Sequence, residues 1–125
     1  MRLPRRLLRR SASLRILEDR GIPSFLSGTL RRLVDALRRL DPEVEVYLCG
    51  SYARGDWLKD SDVDLIVISE IFAGKDVGSR FALVKRLMDP GFSLDMLAYT
   101  PSEFDQTRSR SVILQDMLNC AVKMT

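Results

Sequence analysis

Two aspartates, Asp62 and Asp64, stand two residues apart at the head of the apolar run Val63 to Ile68. In an extended strand such residues share a face, so both carboxylates point the same way as Ile66 and Ile68. Two carboxylates about 4 Å apart repel by roughly 4 kcal/mol at an effective dielectric of 20. A sheet tolerates that beside apolar residues when a cation sits between them. A third carboxylate, Asp95, interrupts the apolar stretch Phe92 to Tyr99. If these two strands are neighbours, all three carboxylates meet at one end of a sheet. Oxygen donors without nitrogen or sulfur suit Mg²⁺ or Mn²⁺ rather than zinc. The plainer alternative is that Asp-Ser-Asp is turn chemistry at a loop–strand junction and Asp95 a solvated edge residue.

Gly50 and Ser51 follow an earlier apolar stretch, Val44 to Cys49. A turn of this kind offers backbone N–H groups and a hydroxyl to a phosphate, and a glycine lets the phosphate approach the backbone. Taken alone, Gly-Ser is equally a plain turn. The chain has no histidine. That excludes imidazole as general base or zinc ligand, and with it every Ser-His or Cys-His nucleophile. Chemistry here must run on carboxylates, hydroxyls, Lys, Arg and a hard metal. Cys49 and Cys120 form no C-x-x-C pair, and Cys49 reads as a small buried hydrophobe.

The elements that must position these residues are legible in the apolar spacing. Leu26, Leu30, Leu33, Leu37 and Leu40 recur at helical intervals up to Asp41-Pro42. Val44–Cys49 and Val63–Ile68 read as strands, with a turn and a short helical stretch over residues 50–60 between them. Phe81, Val84, Leu87 and Met88 mark a helix closed by Asp89-Pro90-Gly91, and Phe92–Tyr99 is a third strand. Thr100-Pro101-Ser102-Glu103 is a capping box with proline in the first turn. Residues 112–119 read as a helix and 121–124 as a short terminal strand. A helix followed by strands separated by helices predicts an α/β (α+β) layer structure: a small mixed sheet with helices packed against it.

Length and charge bound the rest. A chain of 125 residues fits one domain with one core. It contains no run near the ~18 apolar residues of a membrane span and no secretory h-region, so the expected compartment is the cytoplasm. The net charge of +3 conceals an asymmetry: residues 1–40 carry eleven arginines against three carboxylates, a net +8, and the remainder carries the balancing −5. Residues 1–22 read as a basic arm or short helix, suited to nucleic acid, an acidic partner or the acidic body itself.

The stretch Y-L-C-G-S-Y-A-R-G-D-W-L-K-D-S-D-V-D-L-I-V-I, with Gly50, Ser51, Asp62 and Asp64, resembles the signature of the DNA polymerase β-type nucleotidyltransferases. More narrowly it is similar to the minimal nucleotidyltransferase (MNT) group, and the likeness covers roughly residues 24–118. It departs at the ends: the arginine-rich arm is unlike a bare minimal domain, and Asn119-Cys120-Ala121 lacks a glycine before the last strand. The resemblance implies a polymerase β-like fold over residues 23–125 and a two-metal mechanism. Asp62 and Asp64 would hold two Mg²⁺ (or Mn²⁺) ions, and Asp95 would complete the metal site and serve as base. Gly50 and Ser51 would hold the β- and γ-phosphates of ATP. Arg54 would contact phosphate or form a helix-surface ion pair. Lys59 and Lys75 read as solvated loop charges, and Trp57 as packing or a base-stacking ring.

The catalytic core takes up nearly the whole length, which favours a macromolecular acceptor bringing its own surface. Members of the MNT group are paired with HEPN-domain proteins as toxin–antitoxin modules. The resemblance thus implies an antitoxin that moves AMP onto a tyrosine of a HEPN partner. The HEPN motif needs a histidine, so this chain is not itself the toxin. Two alternatives stand beside this: a non-catalytic module that masks its partner, and a small-molecule nucleotidyltransferase with a partner-built acceptor site.

Overall fold

The computed structural model describes residues 21–125; the expected basic arm, apart from its last two residues, lies outside the described residues. Five α-helices occur among the described residues: α1 (Ser24–Leu40), α2 (Gly50–Arg54), α3 (Val77–Leu87), α4 (Pro101–Arg108) and α5 (Val112–Asn119). The strands are β1 (Glu45–Cys49), β2 (Val63–Ile68), β3 (Leu94–Tyr99) and β4 (Val122–Lys123), forming one sheet in the order β3-β2-β1-β4. β1 runs antiparallel to both β2 and β4, whereas β2 and β3 are parallel. The mixed α+β sheet expected from the apolar spacing is the one observed.

Period-two alternation gives the sheet two different faces. Val46, Leu48, Leu65 and Val67 point to one side, where α1 contributes Leu26, Leu30, Leu33 and Leu37, all wholly buried. Leu40, the last of the expected stripe, is exposed because α1 ends there. The opposite face carries Cys49, Ile66 and Ile68, covered by Phe104 of α4 and Leu114 of α5. Asp64 and Asp95 continue this second face at the end beside Cys49.

Loops are fixed by charge and hydrogen bonds. Thr29 Oγ1 donates to Asp89 Oδ2 at 2.7 Å and Arg32 pairs with the same carboxylate, tying the turn before β3 to α1. Arg80 donates to the Ala98 carbonyl of β3 at 3.0 Å, and the Lys85 ammonium donates to the Phe92 carbonyl just before that strand. The junction of α5 and β4 passes through Cys120 at φ −110, which any residue adopts, so no glycine is required there.

The Thr100–Glu103 capping box is present as expected. Glu103 also forms a two-pronged pair with Arg80, at 2.6 and 3.0 Å. The Arg80 guanidinium, together with the Thr100 N–H, holds the Glu103 carboxyl down at about 2, from an ordinary value of 4.5. A depressed carboxyl stabilises the fold above its unfolded value, and that contribution is lost as pH falls from about 4.5 through about 2. Acid unfolding followed by circular dichroism should therefore show a shallower decline across this window in Glu103→Gln than in the parent chain.

Candidate active site

The register brings Cys49, Asp64 and Asp95 side by side on three adjacent strands. At this end β1 gives way to Gly50, which opens α2. Gly50 has φ +68, in the left-handed region. A Cβ placed there would fall 1.8 Å from Asp64 Oδ2. The glycine is thus required by the Asp64 carboxylate, which packs against its backbone. The sequence had suggested a different reason, the approach of a phosphate. Gly55, at φ +90, closes α2 by donating its N–H to the Ser51 carbonyl at 2.9 Å.

A cleft of about 320 Å³ opens over this junction. Gly50 and Arg54 form one side, Asp64 and Asp95 the floor, and Asp116 and Met117 of α5 with Cys120 just after it the other side. Asp62 is not among its lining residues. It precedes the first residue of β2, is exposed, and borders a larger adjoining cleft of about 630 Å³ with Phe25, Tyr52, Lys59 and Ser93. The aspartate pair therefore straddles two clefts. Ser51, half-buried in α2, also lies outside the lining of the first cleft. Trp57 stacks on Tyr52 with ring centroids 5.6 Å apart and meets Phe25 edge-on at 6.5 Å.

Charge links what the cavities separate. The half-buried Asp64 carboxyl is raised above its ordinary range, first by desolvation and then by the negative charges of Asp95 and Asp62, with Arg54 opposing. Arg54 itself also pairs with Asp56 at 3.3 Å on the surface. Like charges on register partners of adjacent strands disfavour the ionised pair. A hard cation above Asp64 and Asp95 would relieve that repulsion, and an all-oxygen donor set suits Mg²⁺ or Mn²⁺. Among the described residues no group of three or more His, Cys, Asp or Glu side chains is arranged to hold an ion by itself. The fit is accordingly to the usual Mg²⁺ pattern, one or two carboxylates completed by substrate phosphates and water.

Residues 30–119 match the family described as Nucleotidyltransferase domain, and the chain belongs to that family. The matched span contains the strands that place Asp64 beside Asp95 and the glycine turn at their edge. A Sulfolobus solfataricus protein of known crystal structure, provisionally described as a nucleotidyltransferase, is 22% identical over 84% of this chain and 82% of its own, with a TM-score of 0.46. No curated protein matches the chain. No helix among the described residues is long and apolar enough to cross a membrane.

Asp116 was not visible from sequence. It lies in a helix read there only for its apolar periodicity. The available signal was an acid near the C-terminal end of a helix whose last turn holds no basic residue.

The two cysteines make the cleft directly testable. Cys49 is wholly buried, and burial together with Asp64 pushes its thiol up to about 12. Cys120 is exposed and lines the cleft. Because the thiolate is the reacting form, N-ethylmaleimide should add once, at Cys120. Mg²⁺ with ATP should slow that addition. Rapid labelling of Cys49 would contradict its burial, and labelling of Cys120 at the same rate with and without nucleotide would place the nucleotide elsewhere.

Proposed function

We propose that this nucleotidyltransferase moves AMP from ATP to a hydroxyl of a HEPN-type partner protein, a tyrosine in the first instance, and silences that partner as its antitoxin. The observation that carries the catalytic part is the placement of Asp64 and Asp95 on register-paired strands, in one cleft with Gly50 and Arg54. Asp64 and Asp95 would hold Mg²⁺, with Asp62 adding negative charge beside them, and the ion's chemistry is to lower the acceptor's pKa and neutralise the triphosphate. Gly50 and Ser51 present backbone N–H groups at the start of α2, and Arg54 supplies positive charge for the β- and γ-phosphates. Asp95, exposed at the cleft floor, takes the acceptor proton. The acceptor oxygen forms a bond to the α-phosphorus, the bond to the bridging oxygen breaks, and pyrophosphate leaves.

The choice of adenine and of a HEPN partner rests on the resemblance of the glycine–serine and aspartate motifs to the MNT group. A protein acceptor is further supported by Val112 and Ile113, apolar and more than two-thirds exposed on the helix that walls the cleft. The test is the intact mass of a co-expressed HEPN partner after incubation with ATP and Mg²⁺. A gain of one AMP per modified site, absent with Asp64→Ala, is expected. Inhibition of the partner without any gain in mass, whichever triphosphate is supplied, would replace transfer by masking.

A further inference from the structure

The two sides of the catalytic cleft differ chemically. One offers Gly50, without a side chain, and the Arg54 guanidinium; the other offers Asp116 and Met117 from α5 and Cys120 at its end. A triphosphate set against Asp116 meets a like charge, at a cost of about 4 kcal/mol per charge pair at 4 Å and an effective dielectric of 20. The phosphates therefore belong on the Arg54 side, and the nucleoside falls to α5. Met117 and Cys120 present polarisable sulfur to a ring, and Asp116 is the single charged group on that side.

A carboxylate is an acceptor with two oxygens, and the vicinal hydroxyls of a ribose are two adjacent donors. Dinucleotide-binding folds use the same match, with an acidic residue on the ribose. Asp116 also stands where the helix itself disfavours it. Its charge lies toward the negative end of the α5 macrodipole, and the last turn holds no basic residue. Nor does it belong to a metal-holding group among the described residues. A carboxylate that its own helix disfavours, lining the cleft, suits a substrate contact.

We infer that Asp116 accepts the ribose hydroxyls of the nucleoside triphosphate and makes this enzyme selective for ribonucleotides. The inference rests on the nucleotide reading of the cleft given above. It is tested by equilibrium titration of the full chain with ATP, 2′-deoxy-ATP and 3′-deoxy-ATP in Mg²⁺, with thermal melting of each variant alongside. The parent chain should prefer ATP. Asp116→Ala should weaken ATP by roughly tenfold or more, the loss of charge-assisted hydrogen bonds, while the deoxy forms change little. Asp116→Asn, which retains one acceptor oxygen, should fall between. Melting temperatures should hold or rise, since an unfavourable helix charge is removed. Equal weakening of all three nucleotides, or an unchanged preference for ATP, would overturn the role of Asp116. A parent chain that binds no triphosphate at all would instead overturn the nucleotide reading, a separate outcome.

Discussion

Replacing Asp64 with asparagine should abolish transfer and, in the absence of ligand, raise the melting temperature. On the proposed metal-holding role of Asp64, its loss removes several kcal/mol of transition-state charge stabilisation, a fall of roughly 10³-fold or more in rate. The stability change has the opposite sign because the Asp64 carboxyl is raised in the folded state by desolvation and by Asp95 and Asp62. Folding then works against its ionised form at every pH above the ordinary value of 3.8. The gain in Asp64→Asn should be present at neutral pH and vanish as the solution is acidified below that value. With Mg²⁺ and ATP the order should reverse, since only the parent chain gains stability from binding. Melting curves at neutral and acid pH, with and without Mg²⁺ and ATP, give all three comparisons. A variant less stable than the parent without ligand at neutral pH would show that Asp64 is a structural carboxylate.

Gly50→Ala should be nearly as damaging to activity, through displacement rather than loss of a ligand. A side chain at φ +68 costs about 1–2 kcal/mol in backbone strain alone. Its Cβ would also meet Asp64 Oδ2 at 1.8 Å and Cγ at 2.8 Å, so the carboxylate must move. A misplacement of about 1 Å can lower a rate on the order of 10²-fold. Gly55→Ala supplies the control: its φ is +90, yet nothing lies within 4 Å of the added carbon. Both variants should melt lower than the parent, but Gly55→Ala should keep most of its transfer rate. Equal losses of activity in the two would mean that backbone strain, and not the contact with Asp64, is what Gly50 avoids.

Most of the scaffold could be read from the chain because each element carries its own local signal. The leucine stripe of α1, the β-branched runs of β1 and β2 and the capping box of α4 are patterns within a few residues. The pairing of Asp64 with Asp95 was accessible only conditionally, since neighbouring of β2 and β3 is a matter of tertiary order. The separation of Asp62 from Asp64 was not accessible. A spacing of two places residues on one face only inside a strand, and β2 begins between them, at Val63. Gly50 was singled out for the close approach of a phosphate, but what fills the space beside it is Asp64 of another strand. Asp116 had no motif to mark it, because its place in the lining of the cleft is set by how α5 packs.

The bonds from α3 to the Phe92 and Ala98 carbonyls have a further consequence for how the protein behaves in concentrated solution. Ser93 and Tyr99 turn their carbonyls toward β2, where they accept from Val63 and Ser69. The alternate carbonyls of Phe92 and Ala98 therefore face away from the sheet, along its outer border. An uncovered border of this kind is a template on which another chain can add a strand, and repetition of that event builds fibres. Lys85 and Arg80 occupy the two ends of the template, each placing a cation where an incoming strand would need to donate an N–H. The opposite border is β4, only two residues long. A sheet closed by cations on one side and cut short on the other resists polymerising through its own backbone.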